Sequence, residues 1–421
     1  MLSGKKILIG VTGSIAIYKT LELIRLLIKQ NAQVKVIMTS SAKKFITPLT
    51  FETISQNSIL DDTNESWDSS SINNHIAIGK WADLFVLAPC SVNTINKLSN
   101  GIADNILLQT AIAYPRTKLL CPAANTNMLE NPLTKASLKM LKLCNFTIIE
   151  PISKQLACND ISKGAMAEVD DIYHAILRQC LKDPYWIDRK VVLSGGGTIE
   201  RIDDVRYISN FSSGKMANAL ATALYYKGAD VFLVTTRDTN NLPKAIHTVK
   251  LENSSDMFEL LQDAIRVSKK GKLSSATLMD DSTPTLIQKT PYLFMVAAIS
   301  DYIPKYPQNG KLKKADIGKS WNLELKQNID ILSSLNKDGI ISVGFKAEMD
   351  KNNAQSNAQK ILKSKNIDAV CLNIIDENNN FGSSSNQIEL FTNNSNMLFE
   401  KNTKLNISFN ILDQLSKEFN E

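Results

Sequence analysis

The chain has 421 residues, 43% of them apolar and 21% charged, with a formal net charge of +6. That length predicts two domains of roughly 200 residues each, and the composition is that of a globular protein. Basic residues are scattered without a long run, so a nucleic-acid surface is not implied, and no stretch of about 18 apolar residues offers a membrane span.

The N-terminus runs straight into a strand and lacks the apolar region of a signal peptide. Six cysteines (90, 121, 144, 158, 180 and 371) form no Cys-x-x-Cys pair and no His/Cys ligand spacing. That usage predicts reduced thiols, a cytoplasmic location and no structural zinc or cluster.

Residues 5–11 predict a buried parallel strand, followed by a helix with Ile17, Leu21, Ile24 and Ile28 at helical spacing. A strand is expected at 34–38, a helix opening at 40–45 and a polar surface loop at 58–74. Further strands fall at 84–88, 118–121 and 147–149 with helical segments between them. Such alternation is the pattern of a doubly wound parallel α/β sheet. Residues 151–168 show no period and read as a long loop, of a kind that is usually functional. A helix at 169–181 precedes Asp183-Pro184, which places the domain boundary so that 1–185 and 186–421 are the two units.

The second half repeats the logic, with strands expected at 190–194, 230–235, 292–297, 341–345, 369–373 and 387–391. Residues 268–290 read as a Lys/Ser/Thr-rich insertion, and 305–320 as a mobile basic loop carrying Lys305, Lys311, Lys313, Lys314 and Lys319.

Gly10-Val11-Thr12-Gly13-Ser14 turns from the first strand into the first helix. Such a turn aims backbone N–H groups and the positive end of the helix dipole at an anion. The spacing is not Gly-x-Gly-x-x-Gly, so a single phosphate suits it better than a dinucleotide, although a plain tight turn reads the same. Ser14 and Ser40 add hydroxyls. Ala88-Pro89-Cys90-Ser91-Val92-Asn93-Thr94 ends a strand at the edge where open sheets bind ligands. His75 suits general acid–base work, though a lone histidine is more often structural. Asn125 follows another strand and offers an amide to a carboxylate or ring edge. Cys158 lies on a glycine-containing loop, where a thiol is less expected as core filling than in an apolar strand.

In the second half, Gly195-Gly196-Gly197-Thr198 and Ser212-Ser213-Gly214-Lys215-Met216 place two phosphate-type turns on one sheet edge. Ala298-Ile299-Ser300-Asp301 ends a strand on a carboxylate. A run such as Lys311-Leu312-Lys313-Lys314 is usually a solvated face, but its place after Asp301 favours phosphate neutralisation.

Taken in order, positions 8–19, His75, 88–94, 122–128 and 156–166 resemble the flavin-dependent cysteine decarboxylase family. The second half is similar to the phosphopantothenoylcysteine synthetase family. Together they resemble the bifunctional coenzyme A biosynthesis flavoproteins over nearly the whole chain. The resemblance implies two doubly wound, Rossmann-like domains, the first flavodoxin-like and the second nucleotide-binding. For the first it implies FMN-dependent decarboxylation of 4'-phospho-N-pantothenoylcysteine. His75, Asn125 and Cys158 then match catalytic positions, Cys158 as a proton donor on a clamp over the substrate. Gly13, Ser14, Ser40, Ser91 and Thr94 match flavin contacts, and Met128 a substrate contact.

For the second domain the resemblance implies CTP-dependent ligation of cysteine to 4'-phosphopantothenate through an acyl-cytidylate, with a divalent cation such as Mg2+. Asn210 matches a residue that turns over the acyl intermediate, and Lys311 the leading cation of the mobile loop. Gly197, Ser213, Gly214, Lys215, Ala298, Asp301, Lys313, Asp330, Phe345 and Lys365 match substrate contacts. Trimers or dodecamers through the flavin half, whose site lies between protomers, and dimers through the ligase half are implied as well. The chain departs from the family pattern at Ala124, Cys90-Ser91-Val92, Asn159, Ala165, Ile329 and Ile361. Two rivals stand beside this reading: one active half with the other a scaffold or regulatory subunit, or a nicotinamide-dependent oxidoreductase.

Overall fold

Strand β1 (Lys6–Val11) carries Ile7, Leu8 and Ile9 fully buried, because it has a parallel neighbour on each side and layers on both faces. Its neighbours are β2 (Gln33–Met38) and β3 (Leu84–Cys90), and the latter is buried along its whole length. With β4 (Lys118–Pro122) and β5 (Phe146–Ile148) they make an all-parallel sheet of order β2-β1-β3-β4-β5. In this order the chain reverses direction of travel between β1 and β3, so the loops after those two strands bound a ready-made crevice. Helix α1 (Ile17–Lys29) packs Leu23, Ile24 and Leu27 inward, each contributing about 1.5–3 kcal/mol by burial.

The computed structural model describes residues 1–421 except 69–72, 156–160, 280–282, 314–317, 319, 351, 376–381 and 421. They form two units, Met1–Leu181 with Ser274–Thr285, and Lys182–Leu273 with Leu286–Glu421.

The first unit departs from the sequence expectations in three places. The helix expected at 40–45 is a short 3₁₀ turn, Ala42–Lys44, and the α-helix starts later, at α2 (Pro48–Ser55), with proline in its first turn. Residues 58–74 are not wholly a surface loop: Leu60 bridges Ile37, and Ile59, Leu60 and Asp61 are buried. Burial raises the Asp61 carboxyl, but an ion pair with Lys43 and bonds from Thr63 outweigh it, leaving the group below its ordinary value. Residues 151–168 contain a hairpin, β6 (Ile152–Gln155) against β7 (Ile161–Ala165), too short and polar to write a period. The remaining helices are α3 (His75–Trp81), α4 (Val92–Ser99), α5 (Ile106–Ala113), α6 (Thr126–Glu130), α7 (Pro132–Leu143) and α8 (Val169–Leu181).

The second unit is built on eight strands. β8 (Lys190–Gly195), β11 (Asp230–Thr235), β12 (His247–Lys250), β15 (Tyr292–Met295), β18 (Ile341–Glu348) and β19 (Ala369–Ile374) are parallel. β20 (Ser385–Thr392) and β21 (Asn396–Thr403) extend that sheet in antiparallel fashion. Two small hairpins flank it, β9 (Ile199–Arg201) with β10 (Tyr207–Ser209), and β16 (Tyr302–Pro304) with β17 (Leu325–Gln327). Helix α9 (Lys215–Tyr226) follows the second phosphate-type turn, and α10 (Ser254–Ser268) precedes the insertion. Within the insertion, β13 (Lys272–Leu273) pairs with β14 (Leu286–Ile287). Residues Ser274–Thr285 belong to the first unit, where Leu278 N–H donates to the Leu143 carbonyl at 2.8 Å. Among the described residues no helix is long and apolar enough to cross a membrane.

Candidate active sites

The crevice of the first sheet is a cavity of about 920 Å³, the size expected of a cofactor or small-molecule site. Gly13, Ser14, Ser40, Ser91, Thr94, Asn125 and Met128 all line it. The turn after β1 and the turn after β3 are tied by Thr12, which sequence reasoning did not single out. Its hydroxyl donates to the Pro89 carbonyl at 2.9 Å and accepts from Ser91 N–H at 2.9 Å. Gly13 is required by space, since a Cβ there would lie 2.7 Å from Ser41 Cβ. Ser91 caps α4, its Oγ accepting from Thr94 N–H at 3.4 Å and lying 3.2 Å from Thr94 Oγ1. Asn125 Oδ1 accepts from Asn127 N–H at 2.9 Å, which fixes the amide at the cavity wall. Ile15, Tyr18 and Met128 expose more than half their surface there, giving the cavity an apolar side.

Buried Lys19 also lines this cavity; its ammonium donates to the Met166 carbonyl at 3.2 Å and pairs with Glu168 at 3.0 Å. Those partners follow β7 directly, so the return strand of the hairpin is anchored beside the cavity. Cys158, between the two strands of that hairpin, lies outside the described residues.

His75 is not among the described residues that line the cavity. It opens α3 beneath an Asn74 cap, with Nδ1 2.9 Å from Glu65 Oε1 and the ring edge-on to Trp67 at 5.2 Å. With Nδ1 held by a carboxylate, Nε2 is the nitrogen left to act on a substrate.

A second cavity of about 200 Å³ sits at the carboxyl edge of the eight-stranded sheet. Ser213, Gly214, Lys215, Ala298 and Phe345 line it, together with Lys346 and Lys404, which sequence reasoning missed. The signal for Lys404 was weak: one lysine after a Thr403 cap, at the start of the last helix, Lys404–Glu418. Gly197 stands beside the cavity, bridged to Ala298, and a Cβ on it would come within 2.6 Å of the Asn210 carbonyl. Asn210 Nδ2 donates to the Ile299 carbonyl at 2.9 Å. Asp330 and Lys365 hold each other at 3.2 Å. Burial raises the Asp330 carboxyl, and bonds from Ser333 and Lys365 bring it below its usual range. Asp301, Lys311 and Lys313 are exposed and line no part of the described cavity.

The start of the lysine loop is nonetheless fixed. Asp203, with no exposed side-chain surface, accepts from Leu312 N–H at 3.2 Å and pairs with Arg206 at 2.5 Å. Arg206 in turn donates to the Leu312 carbonyl at 2.9 Å and covers the Trp321 ring at 4.7 Å. Burial raises the Asp203 carboxyl, but Arg206 and the N–H groups of Val205, Arg206 and Leu312 reverse this and hold it far below the usual range. Among the described residues no three His, Cys, Asp or Glu side chains group as metal donors.

Two family models match the chain in succession. The Flavoprotein family model matches residues 1–181, and the DNA/pantothenate metabolism flavoprotein C-terminal domain matches 186–270 and 264–419. The chain is 34% identical to the coenzyme A biosynthesis bifunctional protein CoaBC of Bacillus subtilis (strain 168), over 99% of this chain and 98% of that protein. It is 34% identical to the protein of the same name from Borreliella burgdorferi, over 94% and 95%. The crystal structure of the C-terminal domain of a coenzyme A biosynthesis bifunctional protein aligns at 26% identity and a TM-score of 0.42, covering 56% of this chain and 98% of that one. The chain belongs to the family of bifunctional coenzyme A biosynthesis flavoproteins.

Proposed function

We propose that this chain converts 4'-phosphopantothenate, cysteine and CTP into 4'-phosphopantetheine. It is a bifunctional enzyme of coenzyme A biosynthesis, with a decarboxylase half and a ligase half. One observation supports two separate reactions above all: each main sheet carries its own cavity at the carboxyl edge of its parallel strands. A reading in which one half is only a scaffold is not favoured, because the relatives match across both halves.

In the ligase half, the carboxylate of 4'-phosphopantothenate attacks the α-phosphate of CTP and releases pyrophosphate. The amine of cysteine then attacks the acyl-cytidylate and releases CMP. Ser213, Gly214 and Lys215 would hold phosphate, Phe345 would pack on the pyrimidine, and Lys311 would neutralise developing charge. Asn210, fixed on the Ile299 carbonyl, is assigned to turnover of the acyl intermediate. With no built donor set among the described residues, Mg2+ is expected to arrive with the triphosphate.

The first cavity fits FMN: hydroxyls and backbone N–H groups around Gly13, Ser14, Ser91 and Thr94 suit a phosphate, and Ile15, Tyr18 and Met128 suit a flat ring. Bound FMN would supply reversible two-electron oxidation of the cysteinyl thiol, which activates the adjacent carboxylate for loss of carbon dioxide. Asn125 would orient that carboxylate, and Cys158 would return a proton. The place of His75 outside the cavity supports a site completed by a second protomer, hence a homo-oligomer, trimeric or dodecameric through this half and dimeric through the ligase half. The free cysteines Cys90, Cys121, Cys144 and Cys371 suit a reducing compartment such as the cytoplasm.

The test is mass spectrometry of products after purified protein meets 4'-phosphopantothenate, cysteine, CTP and magnesium. Formation of 4'-phosphopantetheine and CMP is expected. No turnover would overturn the reading, and arrest at the cysteine adduct would limit the activity to the ligase half.

A further inference from the structure

The second cavity collects positive charge in an unusual way. Lys215 is the first residue of α9 and Lys404 the first residue of the C-terminal helix, and both line the cavity with Lys346. A cation in the first turn opposes the helix dipole, which favours an anion there. The same opposition occurs at two helix starts on one cavity. The N-cap of α9 is Gly214, at φ 72°, which brings no side chain of its own, and Ser213 Oγ accepts from Lys215 N–H at 3.5 Å.

The local partners do not offset this charge. Lys215 Nζ donates to the Gly382 carbonyl at 2.6 Å, and Lys404 Nζ to the Ser385 carbonyl at 3.4 Å. Lys346 lies 3.5 Å from Glu348. Among the described residues neither Lys215 nor Lys404 has a carboxylate in ion-pair distance, and of the three lysines only Lys346 has one. Lys404 is only partly exposed, and burial followed by repulsion from Lys215 pushes its ammonium below the ordinary lysine value. A half-buried cation held against another, facing a cavity, is stabilised most by an anion that enters it.

We infer that Lys404, with Lys215 and the start of α9, binds a phosphate group of a ligase substrate. This rests on the ligase reading above. Two sources carry that chemistry: the triphosphate of CTP and the phosphomonoester of 4'-phosphopantothenate.

The test is isothermal titration calorimetry of the full-length, flavin-loaded protein with each compound separately. Lys404→Gln is expected to weaken at least one of them by about tenfold, since a charged hydrogen bond is lost. Lys404→Arg, which keeps the charge, should recover most of that loss. Weakening of CTP alone assigns the triphosphate, and weakening of 4'-phosphopantothenate alone assigns the phosphomonoester. Unchanged affinity for both, in a variant with wild-type flavin colour and melting temperature, overturns the inference. If the glutamine variant does not fold, Lys404→Met is titrated in its place: a tenfold loss that Lys404→Arg recovers upholds the contact, and unchanged affinity in the folded variant overturns it. A wild-type protein that bound neither compound would remove the ligase reading itself, and the inference with it.

Discussion

The two cavities differ in how much of their chemistry is already assembled. In the first, seven assigned residues from four separate turns line one space of about 920 Å³. In the second, five line about 200 Å³, while Asn210, Asp301, Lys311, Lys313, Asp330 and Lys365 stand outside it. A resident cofactor needs a site that exists before binding, because ordering loops each time would cost affinity. Transient substrates allow the reverse, with charged groups kept on loops that close during turnover. On this account the first site is set by steric fit and the second by anchors such as Asp203.

The strongest break in that comparison is steric. Gly13→Val should remove visible flavin absorbance from the purified protein and abolish decarboxylation, because even a Cβ would meet Ser41 at 2.7 Å. CMP release should persist; a variant that stays yellow would show that the turn yields. Next comes the anchor. Asp203→Asn weakens the hold on Arg206 and Leu312, and a displaced lysine loop is expected to slow CMP release by about 100-fold. Flavin colour should be unchanged, and a near wild-type rate would mean that the loop positions itself.

A smaller effect is expected from Glu65→Gln, which loosens the hold on His75 Nδ1. Decarboxylation of supplied 4'-phosphopantothenoylcysteine should fall by about tenfold, with ligation unaffected. Equal loss in both reactions would point to misfolding instead.

The smallest effect is on stability. Burial lowers the Lys118 ammonium to about 8, where it donates to the Tyr114 carbonyl at 2.8 Å and covers the Phe146 ring. The unfolded chain titrates near 10.4. Between those values the unfolded state holds more protons, so this group makes stability rise with pH across roughly 8 to 10.4. Denaturant melts across that range should show a shallower rise for Lys118→Met than for wild type, and parallel curves would contradict the burial argument.

What the sequence made legible follows from the same physics. β1 and β3 are buried on both faces, so they write continuous apolar runs, and the turns after them carry Gly13, Ser91 and Thr94 to one crevice. The hairpin of β6 and β7 reads as a loop in the sequence because its strands are short and polar. β21 was missed because only Phe399 of its eight residues is buried. Asp61 looked like a loop residue, and its partner Lys43 lies too far away in sequence to be guessed. The Asp203–Leu312 contact and the approach of Lys404 to Lys215 likewise depend on tertiary closure, which local pattern does not encode.

The central claim is that one chain holds two independent sites, and paired single-site variants test it most directly. Given 4'-phosphopantothenate, cysteine and CTP, Gly13→Val should accumulate 4'-phosphopantothenoylcysteine with CMP. Lys311→Gln should release little CMP yet decarboxylate supplied 4'-phosphopantothenoylcysteine at the wild-type rate. Loss of both reactions in either folded variant would contradict the account.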